Sequence, residues 1–274
     1  MIVQTIYDVL WALVIGLWKF ANTNFSLALF GAFAGAYGGQ WIVERSNRKN
    51  RLLDEIRNTN AATTIALAVC NACLRLKSQH VTSLKANYDK QYDAYVRFNT
   101  ETKNGNPENK EFRYLADFEF MDPLVLPIDK LQELLFEKIA ISGRPMNIAT
   151  TLSEVLAALN GYIEKRNDLI KENKEKGPMS HWQYFGVADG QGSQDLRYHT
   201  TIDGISDFTD YAIYFSYLLC GDLASHNKEL ANKFGKNAPS TLSGNFQAAF
   251  DENLMPDSKL FSGWNRAFEN TEKV

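Results

Sequence analysis

The sequence GAFAGAYGGQWIVERSNRKNR, residues 31–51, changes from small, apolar and aromatic residues to a cluster of positive charge. The apolar character extends back to the start of the chain, where Asp8 and Lys19 are the only charged side chains before residue 44. The rest of the 274-residue chain carries nearly all of the charge, and it is long enough to bury a sizeable core. The sequence therefore predicts a short apolar part followed by a longer water-soluble part.

The average composition hides this division. The chain is 45% hydrophobic and 22% charged, with a net charge of −3, which is typical of a globular protein. A nearly neutral net charge argues against a general nucleic-acid surface, because such surfaces carry a basic excess. Three cysteines, an odd number, disfavour a disulfide framework and suit a reducing compartment.

Two apolar segments, residues 2–20 and 25–43, are separated by a polar turn. Each is about 19 residues long, close to the roughly 20 that a helix needs to cross the hydrocarbon core of a bilayer. We therefore predict a transmembrane helical hairpin in residues 1–44. An alternative for the first segment is a helix that lies on the membrane surface, because Gln4 and Asp8 interrupt its apolar run.

The distribution of positive charge predicts the orientation of this hairpin. The turn between the two segments offers only Lys19, whereas a basic cluster follows the second segment directly. The positive-inside rule then places residues 45–274 in the cytoplasm of a two-pass protein of the bacterial inner membrane. The cluster consists of Arg45, Arg48, Lys49 and Arg51.

Glycines recur every four residues in the second apolar segment, at Gly31, Gly35 and Gly39. This spacing puts them on one helix face, where the lack of side chains lets another helix approach closely. Ala12 and Gly16 give the first segment a smaller matching notch. The two faces could pack within one hairpin, or the second helix could self-associate between copies of the chain.

The soluble part is predicted to be a helical bundle. The segment 61–76 is apolar or small on nearly all sides, which is typical of a central buried helix. Further helices are predicted at 126–141, 145–173 and 205–234, and no run of alternating strand residues is present. The fold class is therefore all-α. The tail, residues 235–274, contains aromatics that predict packing onto the bundle or binding of a partner.

No catalytic motif is found. Cys70 and Cys73 form a lone CxxC pair with His80 seven residues further on, but a zinc site would need a fourth ligand. Small core residues on a crowded helix explain the cysteines more simply. Phosphate-loop, zinc-helix, nucleophile-elbow and dinucleotide signatures are also lacking. We predict no enzyme activity, cofactor or metal.

The segment 177–204 is long and irregular, and it contains the candidate partner-binding residues Trp182, Tyr184, Arg197 and His199. Aromatic rings can stack on bases and an arginine can pair with phosphate, which suits a nucleotide or a single nucleic-acid strand. The alternative is that the aromatics only anchor the segment to the bundle.

The two-helix module of residues 2–51, followed by a helical domain without a catalytic motif, resembles the small two-transmembrane effectors of bacterial anti-phage systems, particularly those encoded beside retron reverse transcriptases. The resemblance is one of architecture. It implies a toxin-like effector that perturbs the inner membrane in abortive infection and has the lipid bilayer as a partner. It also implies that a reverse transcriptase and its DNA-RNA product restrain the effector.

Two other functions remain open from the sequence. The first is a membrane-tethered helical scaffold or sensor that binds a cytoplasmic partner. The second is an enzyme whose site would be assembled in the 177–204 loop, around His181, Asp189, Arg197 and His199.

Overall fold

The computed structural model describes the backbone of residues 2–21, 24–103, 112–189 and 191–269. The predicted turn between the apolar segments lies outside the described residues at Asn22 and Thr23. The same holds for most of the sequence TKNGNPEN, which is predicted to be a loop.

The described residues are mostly helical and contain no β-strand, which confirms the all-α fold class. A π-helical turn, Lys77–Val81, joins α2 to α3, and a second one, Leu134–Lys138, follows α4. A short 3-10 helix, Ser258–Phe261, precedes the last helix. The α-helices are α1 (Ile2–Ala21), α2 (Asn24–Leu76), α3 (Thr82–Lys103), α4 (Ile128–Glu133), α5 (Arg144–Lys176), α6 (His181–Phe185), α7 (Arg197–Phe234), α8 (Gln247–Asp251) and α9 (Ser262–Glu269).

The chain divides into two compact units, Met1–Asp54 and Glu55–Val274. The sequence predicts a boundary after residue 44, where the charge begins. The unit boundary lies ten residues later because α2 is one unbroken helix across that position.

The predicted membrane location is wrong. Within the described ranges, no helix is long and apolar enough to cross a membrane, which contradicts a two-pass protein of the inner membrane with a cytoplasmic C-terminal part. The N-terminal transmembrane hairpin likewise has no support. The physical reason is that Asp8 and Lys19 interrupt the apolar run of α1, whereas four glycines between residues 31 and 39 leave the apolar segment of α2 with little side-chain surface.

The second unit is built around the packing of α5 against α7. On α5, Ile148, Leu152, Leu159 and Ile163 are fully buried, and their spacing of four, seven and four residues puts them on one helix face. Full burial of each such side chain stabilises the fold by about 1.5–3 kcal/mol. Pro145 occupies the first turn of α5, where its missing N–H has no helical partner to lose.

The C-terminal part of α2 is buried, as its small residues indicate. Cys70 and Cys73 lie in this core together with Cys220 of α7, and all three are free thiols. Burial raises the pKa of Cys70 to about 11 and that of Cys73 to about 12, so both thiols stay protonated near neutral pH. No group of residues that could hold a metal ion occurs in the described part of the chain.

The described part of the tail packs onto the bundle. The ring of Phe261 stacks on Tyr214 with centroids 3.7 Å apart, and Trp264 contacts Phe215 edge to face at 4.9 Å. Phe246 contacts Tyr217 in the same way at 5.1 Å. The aromatic tail residues therefore extend the core over the outer side of α7.

Candidate functional site

Large apolar side chains of α1 are exposed on every side of the helix. Their exposed fractions range from 47% for Ile15 to 71% for Trp18. Water-soluble surfaces rarely contain so many contiguous apolar side chains unless another surface covers them. The set consists of Ile6, Tyr7, Val9, Leu10, Trp11, Leu13, Val14, Ile15 and Trp18.

The first part of α2 has the same character and ends at the basic cluster. Phe33, Tyr37, Trp41, Ile42 and Val43 are all more than half exposed. The guanidinium carbon of Arg45 lies 5.4 Å from the ring centroid of Trp41, within the range of a cation–π contact. We call the exposed apolar side chains of residues 6–43 the apolar surface, and this surface adjoins the basic cluster directly.

The predicted helix-packing residues lie within the apolar surface. A methyl group placed at Gly31, Gly35 or Gly39 would meet no atom of the described residues within 4 Å beyond the helix's own backbone, and the same holds for Gly16. Ala12 is exposed. These positions are therefore open, and their packing against another helix stays a prediction.

The 177–204 segment is more regular than its sequence indicates. Ser180 and Gln183 form a capping box at the start of α6, which ends at Gly186 in the left-handed conformation. Helix α7 then begins at Arg197, eight residues before the predicted start, because Tyr198, Thr201 and Ile202 are buried against the bundle.

Two of the four candidate partner-binding residues have partners in the protein interior. Tyr184 is only 1% exposed, and its ring lies 4.8 Å from that of Tyr198. Burial raises its pKa above the ordinary value, so the phenol stays neutral. His199 is half-buried, with Nδ1 at 2.9 Å from the Tyr88 hydroxyl and Nε2 at 3.3 Å from Asp203.

Trp182 is half-buried, and Arg197 is more than half exposed. The Arg197 guanidinium donates two hydrogen bonds to Asp195, of 2.8 and 3.0 Å, and one of 3.2 Å to Glu172. The hydrogen bonds from Arg197 lower the pKa of the Asp195 carboxyl. The pKa of Glu172 is lowered first by Lys176 and then by Arg197.

Arg197 borders two cavities at the surface of the second unit. One has a volume of about 160 Å³ and is lined by Lys176, Pro178 and Gln183, among others. The other has a volume of about 750 Å³ and is lined by Tyr162, Lys165, Asp168 and Thr200, among others. The cavities present cations and carboxylates together, so a ligand phosphate would have to compete with Asp195 and Glu172 for the guanidinium.

The sequence analysis does not single out the α5 residues that line these cavities. Lys165, Asp168, Glu172 and Lys176 follow one another at intervals of three and four residues, which puts them on one helix face. That spacing alone is typical of a solvated surface. Only the tertiary packing of α5 beside α7 brings the face to Arg197.

The residues of the enzyme alternative contact separate partners. His181 lies against the ring of Tyr95 at 5.2 Å, and the Asp189 carboxylate accepts backbone N–H groups within its own turn. No hydrogen bond between described side chains joins His181, Asp189, Arg197 and His199 to one another.

The chain matches no protein-family model, no curated protein and no solved structure.

Proposed function

We propose that the protein is a helical effector that acts by binding lipid through its N-terminal helices, rather than by catalysis. The observation that carries this proposal is the apolar surface of α1 and α2, which adjoins a basic cluster. Lipid contact through this surface does not require either helix to span a bilayer.

The apolar surface supplies the larger part of the binding energy. Covering a side chain that is half exposed in water gains on the order of 1 kcal/mol, about half of the value for full burial. Because the nine exposed apolar side chains lie on every side of α1, about half of them would face a lipid surface at once, and they offer several kcal/mol. Trp11 and Trp18 suit the boundary between headgroups and acyl chains, because their rings are apolar with one polar N–H.

The basic cluster favours an anionic lipid over a second protein surface as the partner. Each Lys or Arg near an anionic bilayer contributes about 1 kcal/mol, and the contribution falls off within a Debye length. Arg45, Arg48 and Lys49 follow the last apolar residue of the surface, Val43, after one acidic residue, Glu44. Charge and apolar contact would therefore act together on neighbouring parts of α2.

The glycine face offers bound copies a way to associate. Because Gly31, Gly35 and Gly39 are open, a second helix can approach the backbone of α2 closely once lipid holds both copies in one plane. Association along this face would concentrate the effector and disturb the lipid. The resemblance to anti-phage effectors adds that a reverse transcriptase and its DNA-RNA product restrain this action.

Flotation of the purified full chain with vesicles tests the proposal. Vesicles that contain one-third phosphatidylglycerol should carry the chain upward, and phosphatidylcholine vesicles should carry much less. The triple variant Arg45→Gln, Arg48→Gln, Lys49→Gln should bind the anionic vesicles about 100-fold more weakly, since three charges contribute about 3 kcal/mol. Its matched control is Lys228→Gln, Lys233→Gln, Lys236→Gln, which removes three exposed lysines of the second unit and should bind normally. Equal binding by both triple variants would refute the role of the cluster.

A second candidate function is a scaffold or sensor that binds a partner through the second unit. The observation that favours it is the position of Arg197 between two surface cavities. A phosphate-bearing ligand would exchange the Asp195 and Glu172 carboxylates for its own oxygens. Binding of a labelled oligonucleotide that is lost in Arg197→Gln and kept in Lys171→Gln would support this function. Equal binding by the two variants would refute it.

A further inference from the structure

Three amide side chains hold the segment that precedes α4. We call this segment, residues 112–127, the strap. Each amide accepts a hydrogen bond from the backbone N–H of one strap residue and donates one to the backbone C=O of the same residue. The pairs are Gln91 with Leu115 (2.5 and 2.8 Å), Asn160 with Leu124 (2.8 and 2.9 Å) and Asn167 with Met121 (3.2 and 2.7 Å).

The middle of the strap is held by a buried arginine. Arg166 is 1% exposed, and its two terminal nitrogens donate to the backbone oxygens of Glu119 at 2.6 Å and Asp117 at 2.8 Å. The Tyr198 hydroxyl donates to the same Asp117 oxygen at 2.8 Å. Side chains of the bundle therefore satisfy backbone groups of the strap at five residues.

The spacing of the contacts indicates an extended strap. From Asn160 to Asn167 α5 rises by about 10.5 Å, and from Met121 to Leu124 an extended chain covers about 10 Å. Because these distances match, the amides of Asn160 and Asn167, which are two helical turns apart, can bind Leu124 and Met121, which are three residues apart on the strap. The two chains run in opposite directions, because the later helix residue binds the earlier strap residue.

The strap directs apolar side chains into the bundle and leaves others in water. Met121 is 5% exposed, and the Tyr114 hydroxyl donates to the backbone oxygen of Met179. By contrast, Leu115 is 83% exposed and Val125 is 97% exposed. We call the surface of α3, α5 and α7 that holds the strap the groove. The groove binds backbone groups of the strap and contacts a few of its inward side chains, which is how proteins bind extended peptides.

We infer that the groove between α3, α5 and α7 is a site for an extended polypeptide, and that the strap of a second copy of this chain can replace the resident strap. A second copy is the occupant because its strap has the inward side chains that fit the groove and the same backbone groups for the three amides. The resident strap has no helical or sheet pairing of its own, so its release leaves the hydrogen bonds within α5 and α7 intact. Exchange between copies yields a dimer in which each chain completes the other. This inference does not depend on lipid binding.

A fluorescent peptide with the sequence of residues 112–127 provides the probe. Its anisotropy is measured with the full chain and with Met121→Asn, which weakens the resident strap without changing the groove. The variant should bind the peptide about tenfold more tightly than the unchanged chain, because the competing strap is weaker. Addition of Asn160→Leu and Asn167→Leu should remove this binding, because both amides are lost. Failure of Met121→Asn to bind the peptide would overturn the inference.

Two matched peptides test which side chains of the strap the groove contacts. A peptide with Leu115→Ser and Val125→Ser should bind as the parent does, since both side chains face water. A peptide with Tyr114→Ser and Met121→Ser should bind about tenfold more weakly or worse. Equal affinity for the two peptides would mean that binding does not use this groove.

Two measurements on the unchanged chain keep the inference testable if a variant does not fold. Hydrogen exchange at the amides of Leu115, Met121 and Leu124 should be about 100-fold faster than at Leu152 and Leu159 of α5, because the strap opens before the bundle. Equal rates would mean that the strap opens only on global unfolding.

Sedimentation should detect a dimer that excess peptide dissociates. A dimer that the peptide leaves intact, or a monomer at all concentrations, would overturn the exchange between copies.

Discussion

Replacement of Asn160 by leucine tests whether the amide contacts stabilise the fold. The side chain accepts the Leu124 N–H at 2.8 Å and donates to the Leu124 oxygen at 2.9 Å, and leucine of similar size can do neither. Each hydrogen bond contributes about 1 kcal/mol net, and a partly buried group left without a partner adds to the loss. We expect the free energy of unfolding to fall by about 2–3 kcal/mol.

Urea unfolding followed by circular dichroism measures this change, with the slope against urea checked for constancy. Asn160→Asp should give an intermediate loss, because the carboxylate still accepts the Leu124 N–H but no longer donates to the oxygen. Asn147→Ala is the matched control on α5, where an exposed amide contacts only its own helix turn, and we expect a change below about 0.5 kcal/mol. A loss for Asn160→Leu no larger than that of the control would refute the reasoning.

Three further predictions follow from packing, charge and burial. Gly204→Ala should lower the free energy of unfolding by about 1–3 kcal/mol in urea melts, since the added methyl would lie 2.6 Å from the Tyr162 ring; an unchanged midpoint would contradict this. Arg197 depresses the folded pKa of Asp195, so the stabilising effect is complete above the unfolded pKa and is lost as pH falls through the folded one. The stability difference between the unchanged chain and Asp195→Asn should therefore shrink from pH 6 to pH 3, and a constant difference would argue against the pair. Iodoacetamide at pH 8 should alkylate the three buried cysteines only when urea unfolds the chain, because burial keeps them protonated and inaccessible; rapid labelling of the folded chain would contradict their burial.

The sequence predicts elements whose own residues determine them. The apolar stripe of α5 and Pro145 define a helix within a few residues of the observed one. The start of α7 was missed, because the turn from Arg197 to Thr201 becomes helical through burial of Tyr198 against other elements. The spacing of apolar residues around Arg197 does not indicate this contact with other elements.

The polar contacts of the bundle were harder to predict than its apolar core. Asn160 and Asn167 are seven residues apart on α5 and have the pattern of a solvated face, yet both bind the strap backbone. Arg166 between them is a charged residue that sequence reasoning places in water. Its burial is explained by the strap, whose backbone oxygens at Asp117 and Glu119 accept its hydrogen bonds.

The membrane prediction failed for a different reason. It rested on the length of the two apolar segments, whereas Asp8 and Lys19 interrupt the apolar run of α1 and four glycines reduce the apolar side-chain surface of the segment in α2. The apolar side chains of these segments are exposed in the N-terminal unit, and they support the proposal of contact with lipid.

The most direct test of the lipid-binding account is the release of a trapped dye from vesicles that contain one-third phosphatidylglycerol. We predict that the full chain releases the dye. The variant Gly31→Leu, Gly35→Leu, Gly39→Leu should bind these vesicles equally well but release little, because the three positions are open within the chain and leucine would block only close approach by another helix. Equal release by the variant would contradict action through the glycine face. A full chain that neither binds nor releases would contradict the account itself.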